Sequence, residues 1–163
     1  MTVAGLVFVP LAAGELAAWA GSGTLPGPRV GYAVTSAMLA AFGLVEGEDA
    51  EYAALCIAGV AGLLAHGERL VAVVDAAVPS SDDDFGAVQT PDLAWSAVTS
   101  LFGEDDDPAP AAATAAAVAG QGLARAWDSP EVTDLLAGTD LLWYGPAEWV
   151  LLGGVRRCRR PDP

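Results

Sequence analysis

The sequence predicts an α+β fold, a single domain in which a mixed or mostly antiparallel sheet carries helices mainly on one face. Three observations predict it. One long apolar run, Glu48 to Ala65, has helical spacing and an acidic start. Several short β-branched runs are punctuated by glycine and proline, the pattern of strands closed by turns. At 163 residues, with no internal repeat and no linker long enough to divide it, the chain fits one domain with a sizeable core.

Taken in order, Leu6 to Leu11 is β-branched and aromatic and is closed by Pro10, which predicts a first strand. Ala12 to Ala20 follows as a short helix with Leu16 and Trp19 on one face. Gly21 to Gly31 holds four glycines together with Pro26 and Pro28 and is expected to be loop. Gly31 to Val34 reads as a brief strand. Thr35 or Ser36 then caps a helix over Ala37 to Phe42 that Gly43 ends. The central helix comes next, Tyr52, Leu55, Gly59 and Leu63 falling at near-helical spacing and Gly67 marking its close. Arg69 to Val78 is a valine and alanine run interrupted by Asp75, expected as a buried strand in which an aspartate needs a partner or a place at the end. A serine and aspartate turn separates it from a strand over Phe85 to Gln89. Pro91 to Ser96 forms a turn that tucks Trp95 inward, and Ala97 to Phe102 is a further strand. Ala111 to Trp127 is helical by composition, although Gly120 and Gly122 each weaken it by about 1 kcal/mol relative to alanine. Ser129 caps a helix over Pro130 to Leu136, with proline where a first turn accepts it. Leu141 to Tyr144 is the last strand and Pro146 to Leu152 a final turn. The domain is expected over residues 1–152, and the arginine-rich tail, 153–163, is expected to be disordered.

Composition narrows function by exclusion. Of the 21 acidic and seven basic residues, Asp162 and four arginines (Arg156, Arg157, Arg159, Arg160) lie in the tail, leaving 20 acids and three arginines, a net of −17, over residues 1–155. Such a body repels phosphates and anionic lipid, so neither nucleic acid nor membrane is an expected partner. The longest strongly apolar uncharged run, Tyr52 to Ala65, is 14 residues, short of the roughly 18 a span needs. No basic residue occurs in the first twenty, so a signal peptide is not expected and the location is read as cytoplasmic. Cys56 and Cys158 stand in unrelated contexts and form neither a disulfide framework nor a metal pair.

Catalytic motifs are sparse. The sole histidine, His66, suits the end of the central helix and not a triad. No Cys and His cluster suits zinc, and no cofactor is expected. Consecutive aspartates, Asp82 to Asp84 and Asp105 to Asp107, lack the spaced ligands of a calcium loop. Gly21, Gly23 and Gly27 follow a helix instead of bridging a strand into one, so the phosphate-cradle reading fails on context. Three carboxylates remain, Glu51, Asp75 and Glu148, which together could serve acid–base or metal-assisted chemistry. The other distinctive feature is aromatic. Trp143, Tyr144 and Trp149 beside Glu148 mark either a core edge or a recognition surface.

Several segments together, Val7-Phe8-Val9-Pro10-Leu11, Tyr32-Ala33-Val34-Thr35, Glu51-Tyr52-Ala53-Ala54-Leu55, Val73-Val74-Asp75 and Leu141-Leu142-Trp143-Tyr144 with Glu148, resemble in this order a family of small acidic actinobacterial proteins classed as a domain of unknown function. The resemblance runs from Val7 to about Leu152 and implies a self-contained cytoplasmic α+β domain with no transferable activity. The loop before Gly31 and the arginine tail depart from the family pattern. The functional expectation is accordingly a non-enzymatic interaction module, presenting Trp143, Tyr144, Glu148 and Trp149 to a protein partner or to a second copy. The alternative is a carboxylate-dependent hydrolase or transferase, and a weaker third is an acidic mimic of nucleic acid.

Overall fold

The computed structural model describes residues 2–152. Its strands, in chain order, are β1 (Thr2–Pro10), β2 (Thr24–Leu25), β3 (Arg29–Ala33), β4 (Val71–Pro79), β5 (Ala87–Thr90), β6 (Leu93–Ala94), β7 (Val98–Gly103) and β8 (Leu142–Tyr144). The helices are α1 (Ala13–Ser22), α2 (Ser36–Phe42), α3 (Glu48–His66), α4 (Ala109–Ala117), α5 (Leu123–Trp127) and α6 (Pro130–Gly138), with 3₁₀ turns at Trp95–Ala97 and Pro146–Leu151.

Six strands form one sheet in the order β5-β3-β1-β4-β7-β8, each neighbour antiparallel to the next. The spine is β1 against β4, paired from Thr2 opposite Pro79 to Pro10 opposite Val71. Because side chains alternate across a strand, these valine-rich segments feed two cores at once. Val7, Val9, Ala72 and Val74 point to one face, while Phe8, Val71 and Val73 point to the other. A bulge between Val73 and Val74 accommodates Thr99, whose hydroxyl donates to the Val73 carbonyl at 3.2 Å.

The first face is covered by α1, by the β2–β6 ribbon and by the 3₁₀ turn at Pro146–Leu151. Trp19 seals it, its indole N–H donating to the Leu93 carbonyl at 3.0 Å and its ring meeting Trp95 edge-on at 5.3 Å. The second face carries α2, α3 and α5, and α4 and α6 pack outward on α3. Phe42, Phe85 and Trp127 close one end of that face in three edge-on contacts of 5.7–6.1 Å. Five of the six α-helices therefore lie on one side, as the sequence predicts.

Local signals act where expected. Thr35 Oγ1 accepts from the Met38 amide and Ser129 Oγ from the Val132 amide, capping α2 and α6. Gly67 ends α3 with φ +75°. Two expectations are corrected. The segment Gly21 to Gly31 is not all loop, since Thr24–Leu25 pairs with Leu93–Ala94 and β3 already begins at Arg29, opposite Thr90. The helix predicted over Ala111 to Trp127 is two, α4 and α5, parted where Gly120 takes φ +79°. The tail from residue 153, with Cys158 and the four clustered arginines, lies outside the described residues.

Candidate functional site

One flank of α3 defines the site. Glu48, Glu51, Tyr52, Leu55, Cys56 and Gly59 recur at intervals of three and four, so they form a single stripe along the helix. The stripe runs from acidic through aromatic and aliphatic to bare backbone. Beneath it lie Leu6 and Phe8 of β1, Val73 of β4, and Ser100 and Phe102 of β7; Leu136 of α6 and Thr139 to Leu141 after it complete the lining. Together they enclose a cleft of about 590 Å³, a volume suited to a small ligand or a few partner side chains.

At its inner end stands Arg69, only 2% exposed. A buried guanidinium survives only when its donors and its charge are met. Here Nε and Nη2 both donate to Glu104 at 2.7 Å, and Nη1 donates to the Thr139 carbonyl at 3.2 Å. This planar, two-toothed pairing ties β7 and the end of α6 to the start of β4. Nearer the mouth, the Tyr52 hydroxyl donates to Asp140 Oδ1 at 3.0 Å. That bond, with the Cys56 thiol beside it, pushes the phenol up to about 12. Burial pushes the Cys56 thiol up, which keeps it protonated and a poor nucleophile. The site is thus a neutralised inner wall, an apolar floor and an acidic mouth.

The structure distributes the residues singled out by sequence. Glu51 lines the cleft. Asp75 is exposed on the α3 face of β4, opposite Leu6, and is not among the lining residues. Glu148 belongs to the 3₁₀ turn whose Trp149 and Leu152 pack on the other face of the sheet, and its Oε1 accepts the Gly145 amide at 2.9 Å. The three carboxylates do not meet in one pocket. The aromatic group likewise separates, and this corrects its reading as one surface. Tyr144 is buried opposite Leu101, Trp149 is half-buried on the α1-face core, and Trp143, opposite Phe102, is 62% exposed. Alternation along β8 parts Tyr144 from Trp143, and Trp149 lies beyond the strand in the 3₁₀ turn.

The remaining candidates have local tasks. Asp83 Oδ2 accepts the amides of Phe85 and Ala87, and Asp105 and Asp107 accept those of Asp107 and Ala109, turns made by side chains. His66 Nε2 lies 3.8 Å from Glu15 Oε1, away from the cleft lining. Among the described residues, no three His, Cys, Asp or Glu side chains converge as a metal site would require, and no helix is long and apolar enough to cross a membrane.

Sequence reasoning did not single out Tyr52, Cys56, Arg69, Glu104 or Asp140 as a site. One signal was present: Arg69 is one of three basic residues before the tail and opens an apolar strand, so it had to find an acid inside the fold.

A family model, described as "Family of unknown function (DUF6912)", matches residues 6–152, and the chain belongs to that family. No curated protein and no solved structure matches the chain.

Proposed function

From membership in a family without an assigned activity, we propose that this protein is a cytoplasmic, non-enzymatic interaction module. Its single domain, residues 1–152, receives an extended segment of a protein partner along β8 and the adjoining cleft. The observation that carries this reading is Trp143, a tryptophan 62% exposed on a strand at the edge of the sheet. Solitary exposed apolar residues are ordinary, but this one lies beside Phe102 and follows Leu141, both of which line the cleft. Leu142, 45% exposed, flanks it. An edge strand offers unpaired backbone groups to an incoming strand, and adjacent pockets read that strand's side chains. Tryptophan is also the residue most often found carrying the binding energy of an interface.

Capture from the native host with wild-type and Trp143→Ala baits, followed by mass spectrometry, tests this. The variant should unfold within about 0.5 kcal/mol of wild type, as a surface substitution does, and should lose the partner. Recovery of the same proteins by both baits sinks the reading. The carboxylate-enzyme alternative finds only Glu51 of its three residues in the cleft.

A further inference from the structure

We propose, resting on the reading that the cleft receives a partner segment, that this segment presents a lysine or arginine next to an apolar residue. The basic group sits among Glu48, Glu51 and Asp140, and the apolar parts lie on Leu55, Phe102 and Leu141. A count of the charges lining the cleft points there. Among the described residues the lining contains one cation, Arg69, and it is answered at 2.7 Å by both oxygens of Glu104. Tyr52, Cys56, Ser100 and Thr139 are neutral polar residues, Tyr52 and Cys56 each holding its proton. What is left among the described residues is three carboxylates, Glu48, Glu51 and Asp140, with no further cation in the lining.

An anionic segment therefore meets repulsion with no compensating cation among the described residues, and a purely apolar one leaves the acidic mouth without a counter-charge. A lysine or arginine satisfies both halves of the site, because its methylene stem lies on apolar surface while its head stays near water. Asp140 already accepts from Tyr52 through Oδ1, and a carboxylate has capacity for further donors. The Tyr52 hydroxyl thereby fixes the carboxylate that receives the incoming charge.

Titration of the full chain with four probes, followed by amide shifts of Tyr52, Phe102 and Asp140, tests this. The probes are Ac-Leu-Lys-Phe-NH2, the same peptide with Nε-acetyllysine, the same peptide with glutamate, and phenethylamine alone. The lysine peptide should bind about two- to fivefold more tightly than its acetylated form, the span expected of partly exposed ion pairs. The glutamate peptide should bind most weakly, and the preference should shrink between 50 and 500 mM salt, concentrations chosen for a roughly threefold change in screening length. In Asp140→Asn/Glu51→Gln the lysine and acetyllysine peptides should bind alike. Equal affinity of those two for the wild type overturns the charge assignment while leaving the cleft a peptide receptor. Phenethylamine binding as tightly as the lysine peptide overturns the protein segment in favour of a small amine. No shift with any probe overturns the proposal, and the Trp143→Ala capture then decides separately whether β8 docks a partner.

Discussion

The two faces of the sheet are built from the same strands and end differently. On the α1 face, a ten-residue helix, a two-stranded ribbon and two 3₁₀ turns close a large area: Trp19 is 1% exposed, Trp95 meets it edge-on, and Trp149 packs on the same core. On the α3 face, a helix nearly twice as long leaves a cleft of about 590 Å³. The helix meets the sheet on small residues. Ala50, Ala54, Ala58, Gly59 and Gly62 are all buried along α3, and at Gly62 a Cβ would stand 3.1 Å from the Glu68 carbonyl oxygen and 3.3 Å from Pro10 Cβ. Small residues let the helix approach closely, and of these only Gly59 borders the cleft. The rest of the α3 wall of the cleft is Glu48, Glu51, Tyr52, Leu55 and Cys56, so helix length alone does not close a face of the sheet.

The contrast can be broken at its strongest points first. Trp19→Ala should cost about 3–5 kcal/mol in urea unfolding, since it empties a sealed site and orphans the Leu93 carbonyl. On the open face, Arg69→Met should cost a similar amount, about 3–5 kcal/mol, because it strands the Glu104 carboxylate, whose side chain is only 11% exposed. Arg69→Met/Glu104→Leu should then recover most of that loss. If the double variant stays as unstable as the single one, the pair is not what holds the inner wall. Leu55→Ala should cost about 2 kcal/mol, the low end for a leucine, because water already reaches the cleft it lines. A loss equal to that of Trp19→Ala would show the open face to be as dry as the sealed one.

The smallest effect concerns ionisation at the cleft mouth. Tyr52 has its phenol raised to about 12 chiefly by donating to Asp140. Raised above its unfolded value near 10, it contributes stability that is fully present below pH 10 and is lost as pH climbs through the folded value. Ultraviolet titration of phenolate should show Asp140→Asn shifting the Tyr52 transition downward. An unchanged transition would place the cause of the shift elsewhere. Tyr52 is 53% exposed, so the accompanying change in stability is small.

Much of the fold was legible because its signals are local. Thr35, Ser129 and Gly67 cap helices in the way their chemistry requires, and the valine runs alternate as strands must. The ribbon of β2 and β6 was not legible: two residues in a glycine and proline stretch become strand only because Leu93 and Ala94 come to lie beside them. The split of α4 from α5 was half legible, Gly120 and Gly122 marking the weakness without showing that the chain breaks there. At the site, Glu51 could be singled out because it opens a helix. Arg69 and Glu104 could not be matched to each other from 35 positions apart, nor Tyr52 to Asp140 from 88.

By itself, then, the sequence determined most of the elements, the caps at Thr35, Ser129 and Gly67, the acidic character of the body and the existence of an aromatic segment near residue 143. These follow from interactions reaching a few residues along the chain. Tertiary structure decided which aromatic faces water. The register of β8 on β7 sets Tyr144 opposite Leu101 and Trp143 opposite Phe102, and a shift of one residue would exchange them. Tertiary structure also decided that Arg69 is buried against Glu104 and that Asp140 receives the Tyr52 hydroxyl. Burial and long-range pairing are properties of packed elements, and no local rule contains them.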